Sequence, residues 1–95
     1  MTSMKRMEPR LDWFRNEMHF KLSRPKNLVK GDPRNVCSID DLFKAIEREM
    51  VELRGAIAGG DARDVVSECC DVANFAMMLA DLSQHLREKA SGKDV

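Results

Sequence analysis

The sequence contains no tyrosine, one tryptophan and four phenylalanines in 95 residues. Alternating runs of Val, Ile, Thr and Tyr are missing as well, so strand signals are weak and the chain reads as all-α. Net charge is also lacking: 16 Lys and Arg balance 16 Asp and Glu. That balance removes the broad basic field on which duplex nucleic acid would dock. No apolar run approaches bilayer length; the longest, residues 72–80, is interrupted by Asn74. The opening Met1-Thr2-Ser3-Met4-Lys5 lacks the apolar core of a secretory signal. Three cysteines, Cys37, Cys69 and Cys70, have no CxxC spacing and no neighbouring histidine, so neither a disulfide framework nor a thiolate zinc site is expected. Cys69 and Cys70 diverge on a helix and read as reduced core thiols. Together these absences point to a cytoplasmic protein with no membrane or nucleic-acid partner. A chain of this length builds one domain, residues 1–95, around at most one core.

Three main helices are legible. The first is expected over residues 10–23, after Pro9, with Leu11, Phe14, Met18 and Leu22 as its apolar stripe. The basic segment before it, residues 1–9, is expected to be flexible. Residues 24–37 are rich in Pro, Lys, Asn, Gly and Asp, and Pro25, Gly31 and Pro33 oppose a continuous helix. This stretch reads as a long basic loop, suited either to phosphate contact or to service as a solvated linker. Ser38 starts the second helix, with Asp40 and Asp41 favourable to its dipole. Its wide apolar face is formed by Ile39, Leu42, Phe43, Ile46, Met50, Leu53 and Ile57. Ala58-Gly59-Gly60 ends it, and Asp61 caps a third helix, with Asp64 at the capping-box position, that runs to about residue 89. The tail, residues 91–95, should fray. Residues 65–82 are apolar almost all round, and two other helices of this chain cannot cover them. A homodimer or homotetramer with the third helix in its interface is therefore expected.

The chemistry is carried by two acidic pairs. Glu49 and Glu52, and Glu68 and Asp71, are each spaced i, i+3, which sets both carboxylates on one helical face. The tight turn between the two helices lets the pairs face each other. At an effective dielectric of about 20 and a separation of ~5 Å, each like-charge contact costs about 3 kcal/mol. Glu49 falls between Ile46 and Leu53, and Glu68 and Asp71 lie within the apolar third helix. Carboxylates in such surroundings call for pairing or for a hard divalent cation. A di-iron bundle would need Glu-x-x-His motifs, and His19 and His85 fit none.

Glu49-Met50-Val51-Glu52-Leu53, the tight turn, and Glu68-Cys69-Cys70-Asp71-Val72-Ala73-Asn74-Phe75-Ala76-Met77-Met78 resemble the MazG-like all-alpha nucleoside triphosphate pyrophosphohydrolases, over about residues 38–82. The resemblance implies a four-helix-bundle-type fold completed by oligomerisation. It implies Mg2+, with Mn2+ as a substitute, held by Glu49, Glu52, Glu68 and Asp71, and cleavage of a nucleoside triphosphate between its α and β phosphates. Glu49 or Glu52 would orient or deprotonate the attacking water. Many such proteins carry a further acidic residue directly before the first ligand; here that residue is Arg48. Lys30, with Lys26 and Arg34 behind it, is a candidate contact for the triphosphate. Asn74 is a candidate for a ligand carboxylate or the sugar, and Trp13 for stacking on the base, with core packing its competing role. The alternative is a non-catalytic helical module that keeps the bundle for oligomerisation or partner binding.

Overall fold

The computed structural model describes residues 3–28 and 30–92. They form α1 (Met4–Leu22), α2 (Pro25–Leu28), α3 (Pro33–Val36), α4 (Ile39–Gly59) and α5 (Ala62–Ala90), with no strand among the described residues. Of the tails expected to be loose, residues 1–2 and 93–95 lie outside the described residues.

The centre of the fold is the hairpin of α4 and α5. Ser38 opens α4 with a complete capping box: its hydroxyl accepts the Asp41 N–H at 3.0 Å, and the Asp41 carboxylate accepts the Ser38 N–H at 2.9 Å. These bonds hold the Asp41 carboxyl below its ordinary range. Gly60 closes α4 at φ +79, a left-handed conformation that a residue with a Cβ adopts only under strain. Asp61 caps α5, although its carboxylate takes the Arg63 N–H at 2.9 Å rather than that of Asp64. The two long helices pack along each other, while α1 and α3 both rest on α5.

Two sequence expectations are corrected. Helix α1 begins at Met4, well before residue 10, and carries Pro9 inside it. Proline removes one backbone donor, so the Lys5 carbonyl loses its partner four residues on. Residues 8–10 are exposed, and water can satisfy that carbonyl. Residues 24–37 are likewise not a structureless loop. Pro25 and Pro33 each start a one-turn helix, where a missing N–H is not needed, and Asp32 caps the second through the Arg34 N–H at 3.0 Å. Asn27 donates to the Lys21 carbonyl at 2.7 Å, closing the end of α1.

The buried set is small: Leu42, Ala45, Cys70 and Leu82, together with the polar Glu49 and Asn74. Ile39, Phe43, Met50, Val51 and Ile57 of α4 remain exposed, as do Leu11, Trp13 and Phe20 of α1. Leu11, expected in the stripe, is uncovered because α1 meets α5 through its C-terminal half, where Phe14, Met18, Lys21 and Leu22 are half-buried. The exposed apolar load therefore falls more heavily on α4 than on the third main helix, where it was expected. The radius of gyration is 15.5 Å, against about 12 Å for a compact chain of this length.

Candidate metal centre

Glu49 comes from the middle of α4, and Glu68 and Asp71 from one turn of α5. The hairpin brings one carboxylate oxygen of each within 4.8 Å of the others. Glu49 is buried at 8 % exposure, and its Oε2 and the Oε2 of Glu68 have no hydrogen-bond donor. Burial, followed by the neighbouring Glu52, Asp71 and Glu68, pushes the Glu49 carboxyl up to about 7. Glu68 is raised as well, first by burial and then by Asp71 and Glu52. Glu52 is exposed at the edge of the cluster and is among the groups that raise Glu49. The four acids therefore divide into three enclosing oxygen donors and one carboxylate on the rim.

Two basic side chains reach the cluster. Lys21, near the end of α1, pairs with Asp71 Oδ2 at 2.9 Å and also bonds to Ser67. The Arg48 guanidinium approaches Glu49 Oε1 at 3.8 Å and lies 6.0 Å from the centre of the Phe75 ring. Lys21 was missed in the sequence. Its signal is position: it follows Phe14 by seven residues and Met18 by three, so it occupies the apolar stripe of α1 as Glu49 occupies that of α4.

Beside the cluster opens a cavity of about 370 Å³ whose walls include Lys21, Lys30, Asp71, Asn74, Leu42 and Phe75. Of the residues predicted to contact substrate, Lys30 and Asn74 thus meet at Asp71. Asn74 is buried, donates to the Met18 carbonyl at 3.2 Å, and leaves its Oδ1 without a partner. Trp13 is elsewhere: it lines a second groove with Glu17, Phe20, Arg24, Arg63 and Cys70, and Lys21 belongs to both walls. Lys26 is exposed and lines neither. Arg34 is committed to α5, with its guanidinium bonded twice to Asp81 at 2.9 Å, which holds the Asp81 carboxyl below its ordinary range. All three cysteines are free thiols, and burial raises that of Cys70.

An all-helical domain with an enclosed three-carboxylate cluster beside a lysine-bearing cavity is the class that fold and site define. The chain matches no protein-family profile, no curated protein and no solved structure.

Proposed function

We propose that this protein is a magnesium-dependent nucleoside triphosphate pyrophosphohydrolase that releases nucleoside monophosphate and pyrophosphate. The observation that carries the reading is the convergence of Glu49, Glu68 and Asp71 within 4.8 Å, with two buried oxygens lacking any donor. An all-oxygen donor set without histidine or thiolate suits Mg2+ or Mn2+. Glu49, Glu68 and Asp71 would hold the ion, which would supply positive charge against the phosphates and a water of lowered pKa. Lys30 stands in the adjoining cavity to hold the phosphate chain, and Phe75, Leu42 and Met78 supply its apolar wall. With three carboxylates occupied as ligands, Glu52 is the group left at the rim to orient the water and take its proton.

A homodimer or homotetramer completes this reading. The accessible surface is 7338 Å², against about 5,500 Å² for a compact monomer of this mass. The excess is about twice the ~800 Å² that an association of standard size removes from each partner. The free thiols suit a reducing, cytoplasmic setting, and no helix among the described residues is long and apolar enough to cross a membrane.

Pyrophosphate release measured over a panel of nucleoside triphosphates tests the proposal. Asp71→Asn should lose both Mn2+ binding and hydrolysis, while Glu52→Gln should lose hydrolysis and keep the metal. Full activity in both variants would exclude the site. A non-catalytic helical module is the second reading, favoured by Lys21 and Arg48, which compensate part of the acidic charge from within the chain. Metal binding without turnover of any nucleotide would select it.

A further inference from the structure

Lys21 does something that neither the cluster nor the cavity explains alone. Lysine is seldom buried unless paired, yet this side chain is only 13 % exposed. Its ammonium has three N–H donors, and three acceptors surround it: Asp71 Oδ2 at 2.9 Å, the Ser67 hydroxyl at 2.5 Å and the Ser67 carbonyl at 3.2 Å. The ammonium thus sits on one of the three carboxylates while the inner oxygens of Glu49 and Glu68 have no donor. A divalent ion on that cluster and an ammonium on the same carboxylate repel with twice the force of two single charges at that distance. Space for the displaced ammonium exists, because Lys21 lines the cavity that also holds Lys30 and Asn74.

Resting on the metal-centre reading, we propose that Lys21 is a tethered counter-cation. It holds Asp71 while no divalent ion is bound, yields that carboxylate when the ion enters, and then presents its ammonium to phosphate oxygens in the Lys30 cavity. Lys21 so couples metal loading to polyphosphate binding. Its role is positioning: it sets the affinity of the cluster for metal and adds a positive charge to the cavity only after loading.

The test is a Mn2+ titration followed by the electron paramagnetic resonance of the free ion, together with acetylation of lysines read residue by residue by mass spectrometry. Lys21→Met should bind Mn2+ about tenfold more tightly, since the ion no longer competes with an internal cation. Ser67→Ala keeps every charge but removes one partner of the ammonium, and should tighten binding about two- to threefold. This variant decides the matter if Lys21→Met does not fold. In the unmodified protein, Lys21 should be protected from acetylation in chelator, become several-fold more reactive with Mn2+, and be protected again when inorganic tripolyphosphate is added. Equal Mn2+ affinity in all three proteins, or Lys21 reactivity indifferent to metal, makes Lys21 a fixed bridge between α1 and α5 and overturns the inference alone. Failure of the unmodified protein to bind Mn2+ at millimolar concentration overturns the metal centre itself.

Discussion

Glu49→Gln separates the electrostatics of the cluster from its packing. Glutamine has nearly the shape of a protonated glutamate but cannot ionise. In the folded protein the Glu49 carboxyl is raised from 4.5 to about 7, so the native state holds its proton more tightly than the unfolded chain does. The sign follows from linkage. The stabilisation is complete below pH 4.5, declines as pH rises, and is gone above about 7. The size is about 3 kcal/mol, at about 1.4 kcal/mol for each tenfold change in proton affinity. Urea denaturation in chelator from pH 4.5 to 8 should therefore show the two proteins alike at the acid end. Glu49→Gln should become more stable by about 3 kcal/mol at the alkaline end. Glu68 is raised as well, with Glu49 among the groups that set it, and it titrates in both proteins. Saturating Mn2+ at pH 8 should return the lost stability to the unmodified protein and do little for the variant, since only a native site gains free energy by mass action. A stability difference that stays constant with pH would refute the claim that burial and acidic neighbours raise the Glu49 carboxyl.

Two further outcomes concern the scaffold. Gly60→Ala meets no atom within 4 Å, so its cost is the left-handed backbone alone, about 1 kcal/mol, seen as a fall of about 4–8 °C in Tm; an unchanged Tm would mean the turn relaxes freely. Asp81→Asn breaks an ion pair whose side chains are 42 % and 44 % exposed, so stability should change by less than about 1 kcal/mol, while proteolysis within residues 24–37 accelerates because α3 loses its anchor on α5. Equal cleavage rates would show that α3 is held by other contacts.

What the sequence made legible was local. The Ser38 cap, the glycine at the end of α4, the Asp61 cap and the i, i+3 spacing of Glu68 and Asp71 each depend on residues within one turn of each other, and each is found in the structure, whereas Glu52 stands outside the three-carboxylate cluster. The early start of α1 was hidden because Pro9 reads as a boundary, whereas its penalty here is one carbonyl that water can reach. Residues 24–37 read as loop because proline opposes helix interiors; the same ring favours the first position of the short helices it starts. Lys21 escaped notice because an apolar stripe is traced by its apolar members, and a charged residue in register with them is passed over unless its partner is known. That partner, Asp71, is 50 residues away. Arg34 and Asp81, 47 apart, leave no local pattern at all.

The attachment of α1 carries one more consequence. Among the described residues, the hydrogen bonds from α1 to α5 run from Lys21 to Ser67 and Asp71, and from Asn74 to the Met18 carbonyl. Each meets α5 within four residues of Asp71 or on Asp71 itself. The N-terminal half of the helix extends beyond these anchors, with Leu11 and Trp13 about half exposed and Trp13 on the wall of the groove that α1 forms with α5. Trp13 lines the same groove as Lys21, the side chain that holds Asp71, so the single indole of this chain is a natural fluorescent reporter placed one side chain away from the cluster.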